Sequence, residues 1–122
     1  MGSAGSPAQG ARHEVRWSRA EKVAARQAFD LALSRELGAV MREAKERAAQ
    51  ISEAPDLWAL ERWLGERRRD IDRKFNFSYA ALPLVFATLL RDGSLTEEEL
   101  AGIGEEKLDD IRRIRRIMSE VW

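Results

Sequence analysis

The chain has 122 residues, 34% of them charged, and its 21 basic and 21 acidic side chains leave no formal net charge. Affinity for nucleic acid or for an anionic membrane depends on unbalanced positive charge, so this composition disfavours both partners. The sequence contains no cysteine and a single histidine, which excludes a disulfide, a cysteine nucleophile and a histidine-based zinc site within one chain. Its length corresponds to one domain.

Residues 1–16 are rich in Gly, Ala, Ser and Pro and predict a disordered tail before one domain of residues 17–122. The tail is not basic and then apolar, so it does not resemble a signal peptide. The longest apolar run, Tyr79 to Leu90, contains Pro83 and is shorter than the about twenty residues that a membrane span needs. We therefore expect a cytoplasmic protein without a membrane span.

A long amphipathic helix is predicted from Arg19 to about Ile51. Ser18 and Glu21 form the sequence pattern of a capping box, in which each side chain accepts a hydrogen bond from the backbone N–H of the other residue. Beyond this start, apolar residues recur at spacings of three and four, as expected for one face of a helix. They are Phe29, Leu33, Leu37, Val40 or Met41, Ala44, Ala48 and Ile51.

A second helix is predicted from about Asp56 to Lys74, with Pro55 in its first turn. Its apolar stripe consists of Leu57, Leu60, Leu64 and Ile71. Trp58 lies off this stripe and shares a helical face with Glu61, Arg62, Gly65 and Arg69. Two roles are open for this indole: contact with another protein, or burial in a dimer or beneath the C-terminal helices. Trp63 flanks the apolar stripe and is predicted to lie in the core.

The remaining residues predict a small helical head. A turn at residues 76–78 precedes an apolar helix that ends near Arg91. Thr96 and Glu99 form a second capping box, which opens a short helix interrupted by glycines. The last helix is predicted over residues 105–120.

These elements predict an all-α fold, with a long antiparallel hairpin of residues 17–75 and a C-terminal head of residues 76–122. A helix of about thirty residues is about 45 Å long, so the second helix covers only about half of the first. Either the last helix of the same chain or a second chain covers the other half. We expect the second chain, in a symmetric dimer with contacts at Leu33, Leu37 and Val40.

Two patterns resemble known sites but have ordinary structural explanations. Residues 92–99 match the second half of a calcium-binding EF-hand loop, but Thr88 and Leu90 stand where that loop needs carboxylates. The arginine runs at residues 67–69 and 112–116 are interleaved with acids, which is typical of a solvated helix face. No combination of residues typical of catalysis stands out, so we expect neither an enzyme nor a metal site.

The chain resembles the fluorescence recovery protein family of cyanobacteria over residues 17–111. The resemblance rests on residues whose order and spacing match without a gap. They are Trp17-Ser18, Ala20-Glu21, Phe29, Arg35-Glu36-Leu37, Asp56-Leu57-Trp58, Leu60, Arg68, Ile71-Asp72, Lys74, Val85-Phe86-Ala87, Leu89-Leu90, Gly93, Glu98-Glu99-Leu100 and Lys107. Each motif alone is weak, and the coverage of nearly the whole predicted domain carries the resemblance.

The resemblance implies a helical dimer that holds no cofactor and binds the photoactivated orange carotenoid protein, mainly at its C-terminal domain. Members of the family accelerate the return of that protein to its resting orange form, which restores antenna fluorescence. By position, Trp58 and Arg68 match the family's interaction patch, and Leu57 matches an apolar dimer contact. Where the family usually has His, Asp, Phe and Lys, this chain has Glu61, Arg62, Leu84 and Asp110. These exchanges leave one alternative, a dimeric helical scaffold of the same fold with a different protein partner.

Overall fold

Four α-helices and one 3₁₀ segment form residues 16–121, the part of the chain that the computed structural model describes. The elements are α1 (Arg19–Ala49), α2 (Ala54–Lys74), α3 (Leu82–Arg91), the 3₁₀ segment (Glu98–Ile103) and α4 (Glu105–Val121). Residues 16–121 contain no strand, and the predicted all-α fold is confirmed. Residues 1–15 of the predicted tail lie outside the described residues, and the limits of the single domain remain a prediction.

The capping box at the start of α1 is formed as predicted. The Glu21 N–H donates to Ser18 Oγ at 3.1 Å, and the Ser18 N–H donates to Glu21 Oε1 at 2.9 Å. Two N–H groups that a helix start would otherwise leave without a partner are thereby satisfied. From this start α1 continues without a break for 31 residues and ends at Ala49, two residues before the predicted end.

A short connection turns the chain from α1 into α2. Pro55 lies in the first turn of α2, as predicted. The Asp56 carboxylate accepts hydrogen bonds from the backbone N–H groups of Ser52 (3.1 Å) and Glu53 (3.2 Å). These bonds favour the ionised carboxylate and lower the pKa of Asp56. The connection is therefore held by its own local hydrogen bonds.

Contacts along α1 and α2 show that the two helices are antiparallel. Near the connection, the Arg47 guanidinium lies 4.5 Å from the centre of the Trp63 ring. Further along, Lys74 Nζ lies 3.1 Å from the Glu36 carboxylate. Residue numbers thus rise along α2 while they fall along α1, which confirms the predicted helical hairpin.

The hydrophobic core lies between the first half of α1 and the head. From α1 it takes Ala25, Ala28, Phe29 and Ala32, and from the head Leu82, Val85, Phe86, Ala87, Leu89, Leu90, Leu95, Leu100, Ile103, Leu108 and Ile111. α2 contributes nothing to this core, since none of its side chains is buried. Burial of apolar area is the main stabilising term in folding, so the head and the first half of α1 form the stable unit of the chain.

The 3₁₀ segment approaches α1 so closely that a glycine is required. A Cβ atom on Gly102 would lie 2.7 Å from the Ala24 Cβ. Gly104, which ends the segment, has φ of +99°, a conformation that L side chains rarely adopt. The two glycines therefore permit the head to dock on α1.

These contacts correct our expectation about the uncovered half of α1. That half is packed against the head of the same chain, so no second chain is needed to cover it, and Leu33 packs against this core. The dimer itself stays a prediction. Trp63 is half-buried beneath Arg47 and does not lie in the core as predicted. The exposed apolar side chains of the hairpin lie elsewhere, as described below.

The residues before α1 are fastened to α4 by Lys107, which is only 3% exposed. Its Nζ donates hydrogen bonds to the Arg16 carbonyl oxygen at 2.8 Å and to Glu21 Oε1 at 2.9 Å. The same Nζ lies 4.9 Å from the centre of the Trp17 ring. Trp17, for which the sequence predicts no role, thus helps to close one end of the core.

Candidate protein-binding surface

The side of α2 that points away from α1 carries a tryptophan among charged residues. We call this side the outer surface of α2. It comprises Trp58, Glu61, Arg62, Gly65 and Arg69, and Arg68 lies at its edge, next to the apolar stripe of Leu57 and Leu64. The opposite side faces α1 through the half-buried residues Leu60, Trp63, Arg67 and Lys74. Successive residues in an α-helix are about 100° apart, so Trp58 lies almost opposite the centre of the α1-facing side.

The Trp58 ring is exposed, as its position on a charged face predicts. Its exposed fraction is 54%, whereas Trp63, five positions later, is half-buried. An indole is a large apolar surface, so its burial against another molecule would be favourable. Of the two roles left open by the sequence, burial beneath the C-terminal helices is therefore wrong.

The arginines of the outer surface are not neutralised by neighbouring acids. Arg67, on the α1-facing side, pairs with Asp70 at 2.7 Å. Arg62, Arg68 and Arg69, in contrast, form no ion pair with any carboxylate of residues 16–121. Three guanidinium groups on this surface are thus available for hydrogen bonds to a partner.

Leu84 and Asp110 do not lie beside Trp58. Leu84 is 55% exposed, and it borders a cavity of about 220 Å³ at the far end of α2. The α2 residues of that cavity begin at Asp70, so Trp58 lies about 18 Å or more away along the helix. Asp110, on α4, forms an ion pair with Arg113. The six residues predicted to bind a partner thus form one group of four on α2 and two separate positions in the head.

A second surface of the hairpin is apolar. Leu37 and Met41 of α1 are 42% and 58% exposed, and Leu57 and Leu64 of α2 are 45% and 39% exposed. On each helix, the two exposed residues are rotated by about 60–100° about the helix axis from the residues that face the other helix, and the direction of this rotation is the same on both helices. Because the helices are antiparallel, the four side chains lie on the same side of the hairpin, which we call its apolar face.

The apolar face contains two of the four predicted dimer contacts. Leu37 and Leu57 are exposed on it, whereas Val40 is half-buried near α2 and Leu33 packs against the core. Met41 and Leu64 were not predicted as contacts, although both lie on the apolar stripes of the sequence. The signal that identifies them is their exposure, which depends on how α1 and α2 pack against each other.

Other site types find no support in the described residues. The calcium-like pattern is a turn at Gly93, where φ is +80°, and Asp92 pairs with Lys74 at 3.4 Å. Between residues 16 and 121, carboxylate side chains do not gather in threes around a point suited to a metal ion. No helix in this part of the chain combines the length and hydropathy of a membrane span.

Comparison with known proteins identifies the family. The sequence model described as photoprotection regulator fluorescence recovery protein matches residues 17–115. The chain belongs to the fluorescence recovery protein family. The fluorescence recovery protein of Synechocystis sp. is 34% identical over 104 residues, which cover 85% of this chain and 95% of that protein.

Solved structures of the fluorescence recovery protein family share the fold. The Fremyella diplosiphon protein has a TM-score of 0.77 and 39% identity, and covers 83% of this chain and 99% of its own. The Synechocystis protein has a TM-score of 0.78 and 34% identity, with the same coverage. The resemblance drawn from the sequence is confirmed, and the family relates this chain to the regulation of photoprotection.

Proposed function

We propose that this fluorescence recovery protein relative is a dimeric, non-enzymatic modulator in the cytoplasm. It binds the C-terminal domain of a photoactivated orange carotenoid protein, or of a related carotenoid-binding protein, and accelerates its return to the resting form. Membership of the family supports the class of function. The observation that carries the binding role is the exposure of Trp58, at 54%, among unpaired arginines on the outer surface of α2.

The chemistry of the outer surface suits a protein partner. Tryptophan and arginine are the residues most enriched where truncation to alanine costs about 2 kcal/mol or more of binding free energy. Trp58 supplies apolar area, and Arg62 and Arg68 supply planar hydrogen-bond donors for carboxylates or carbonyl groups. Glu61 adds an acceptor within one turn of Trp58. This combination favours contact with a mixed polar and apolar protein surface.

The apolar face of the hairpin supports the dimer. Four exposed apolar side chains, Leu37, Met41, Leu57 and Leu64, lie together, and α2 has no buried side chain within its own chain. Two hairpins that meet through this face would bury these residues around a two-fold axis. Trp58 lies about 100° around α2 from Leu57, so the indole would stay accessible in such a dimer.

A modulator of this kind acts by differential binding. To accelerate relaxation, it must bind more tightly to the barrier state, or to a compact intermediate, than to the photoactivated state of its partner. A rigid helix holds Trp58 and Arg68 at a fixed separation. Such a helix suits this task if its two contact points on the partner have the matching separation in the barrier state or the intermediate but not in the photoactivated state.

The test measures the rate of dark recovery of an activated orange carotenoid protein mixed with this chain. We expect faster recovery with the wild type and loss of most of the acceleration with Trp58→Ala, while Trp58→Phe retains part of it. Arg68→Ala is compared with Arg116→Ala, since both arginines are exposed and unpaired within residues 16–121 but Arg116 lies in the head. Unchanged recovery at saturating wild-type protein would contradict the proposal.

A second candidate function is a dimeric scaffold with another partner protein. It is favoured by Asp110, which forms an ion pair with Arg113 at a position where the family usually has a lysine. The charge at this position is therefore opposite to the usual one and is engaged within the chain. If it holds, Trp58→Ala abolishes capture of the partner from an extract but recovery kinetics show no effect of the wild type. Restoration of recovery by Glu61→His with Arg62→Asp would instead support the carotenoid protein as the partner.

A further inference from the structure

The middle of α2 contains a glycine that the backbone conformation does not require. Gly65 lies between Trp58 and Arg69 on the outer surface of α2. Within residues 16–121 the glycines with positive φ are Gly93 and Gly104, so the backbone at Gly65 is one that any L residue adopts. Since alanine favours helix more than glycine does, this glycine weakens α2 unless the missing side chain serves another purpose.

Packing within the chain does not require the glycine either. A Cβ atom at Gly65 would lie 3.6 Å from Arg69 Nη1, which is an ordinary van der Waals contact with the end of a flexible side chain. At Gly102, in contrast, a Cβ atom would lie only 2.7 Å from the Ala24 Cβ. The docking of the head therefore explains Gly102, whereas no contact among residues 16–121 explains Gly65.

Gly65 opens a depression in the outer surface of α2. Positions 58, 61, 62 and 65 surround a gap on the helix, because residues three and four apart lie side by side. Three of these positions carry the exposed side chains of Trp58, Glu61 and Arg62, and the fourth carries no side chain. We call this gap the Gly65 depression. Its floor is the backbone of α2, and Trp58 borders it at the end nearer to the start of the helix.

The side chain that covers the Gly65 depression is free to move. The Arg69 guanidinium lies over Gly65, since its Nη1 is 3.6 Å from the position of a Cβ atom. Arg69 is exposed and forms no ion pair with any carboxylate of residues 16–121. Because no ion pair holds the guanidinium in place, a partner protein can displace it without breaking such a bond.

We propose that Gly65 determines how closely the partner protein approaches α2. This inference rests on the proposed function and deepens it: an apolar side chain of the carotenoid-binding protein packs on the α2 backbone at Gly65, beside Trp58. Glycine permits this approach, because no Cβ atom separates the backbone from the partner. Such a contact also excludes water around the indole, as is usual for the residues that contribute most to binding.

The position of the depression favours the partner protein over a second copy of this chain. Gly65 lies about 20° around α2 from Trp58 but about 100° from Leu64. It is therefore continuous with the surface proposed to bind the partner, and it lies away from the apolar face proposed for the dimer. The charges beside it, on Glu61 and Arg62, have opposite signs, so they do not favour a polyanion such as nucleic acid.

The experiment measures the rate of dark recovery of an activated orange carotenoid protein over a range of concentrations of the full chain. Gly65→Gln fills the depression with an uncharged residue that favours helix. We expect the concentration for half-maximal acceleration to rise about tenfold or more with Gly65→Gln, and less with Gly65→Ala, because the added atoms hold the partner away from the backbone. Both variants should melt at or above the wild-type temperature, so that weaker binding is not caused by a loss of fold.

Gly38→Gln is the matched control. Gly38 also lies inside a helix, and a Cβ atom there would likewise meet only an arginine guanidinium, with Arg42 Nη1 at 3.5 Å. This glycine lies on α1, apart from the outer surface of α2, so Gly38→Gln should leave the recovery kinetics unchanged.

The outcomes separate this inference from the proposed function. If the wild type does not accelerate recovery, the proposed function fails and the inference fails with it. If Trp58→Ala removes most of the acceleration but Gly65→Gln acts as the wild type does, only the inference is overturned. It is also overturned if Gly38→Gln weakens the effect as much as Gly65→Gln does, or if sedimentation velocity shows that Gly65→Gln changes the oligomeric state.

Discussion

Arg35 and Glu99 form a two-point ion pair that fastens the 3₁₀ segment of the head to α1, although they are 64 positions apart in the chain. Arg35 Nη1 donates to Glu99 Oε1 at 2.9 Å and Nη2 donates to Oε2 at 2.6 Å. Nη1 also donates to the Ser94 carbonyl oxygen at 2.8 Å. The Thr96 N–H donates a hydrogen bond to Glu99 Oε1 at 3.0 Å. The Glu99 carboxylate therefore takes part both in the predicted second capping box and in the ion pair with Arg35.

Removal of this charge pair should loosen the head without unfolding it. Glu99→Gln keeps the shape of the side chain but loses one of its two acceptor oxygens and its charge, so we expect the melting temperature to fall by several degrees. Glu98→Gln, one position earlier and exposed, is the matched control and should melt as the wild type does. Equal melting temperatures for Glu99→Gln and Glu98→Gln would show that the pair adds nothing to stability.

The same carboxylate predicts how stability depends on pH. The Arg35 guanidinium, aided by the Thr96 N–H, lowers the pKa of Glu99 from 4.5 to about 2. A pKa that is lower in the folded state stabilises that state above the unfolded value, and the contribution is lost as pH falls from about 4.5 to about 2. The difference in melting temperature between wild type and Glu99→Gln should therefore shrink across this range. A difference that stays constant from pH 7 to pH 2.5 would contradict the assignment.

Two glycine-to-alanine substitutions should have opposite effects. At Gly102 the new Cβ would lie 2.7 Å from the Ala24 Cβ, which is fixed to the backbone of α1, so we expect a loss of about 1–3 kcal/mol in the free energy of unfolding. At Gly38, inside α1, the new Cβ meets only the mobile Arg42 guanidinium at 3.5 Å. Since alanine favours helix, Gly38→Ala should gain up to about 1 kcal/mol. Urea denaturation measures both, and a stabilised Gly102→Ala would contradict the close approach.

The sequence predicts the helices well because their ends carry local signals. Ser18 with Glu21 starts α1, Pro55 lies in the first turn of α2, and Thr96 with Glu99 lies at the start of the 3₁₀ segment. Each signal acts within a few residues, so it does not depend on the rest of the fold. The exposure of Trp58 was predictable for the same reason, because its charged neighbours on the helix are fixed by spacing alone.

The packing partner of α1 could not be predicted in this way. Of the predicted apolar face of α1, Phe29 and Leu33 do pack against the head, but the other contacts are Ala25, Ala28 and Ala32, which that face did not include. Alanines leave a smooth surface on which another segment can approach closely, but they give a weak signal in a hydrophobic pattern. The positions of Leu84 and Asp110 relative to Trp58 depend on the same docking, so the sequence did not reveal their separation.

The apolar face of the hairpin predicts which substitutions convert a dimer to monomers. Leu64→Asp or Leu57→Asp would place a carboxylate in the proposed contact, and two-fold symmetry would make each change count twice. Loss of apolar burial and desolvation of the charge together should raise the dimer dissociation constant by about a hundredfold or more, equivalent to about 3 kcal/mol. Leu84→Asp, which alters an exposed leucine of the head, is the matched control and should remain dimeric.

Sedimentation velocity over a range of concentrations distinguishes these outcomes. Trp58→Ala should sediment as a dimer, because the indole lies about 100° around α2 from Leu57 and outside the contact. A monomeric wild type would remove the dimer from the proposed function. If Leu84→Asp dissociated while Leu64→Asp did not, the contact would lie on the head. If Trp58→Ala dissociated as Leu64→Asp does, the indole would belong to the dimer contact, and it would no longer be available to a partner.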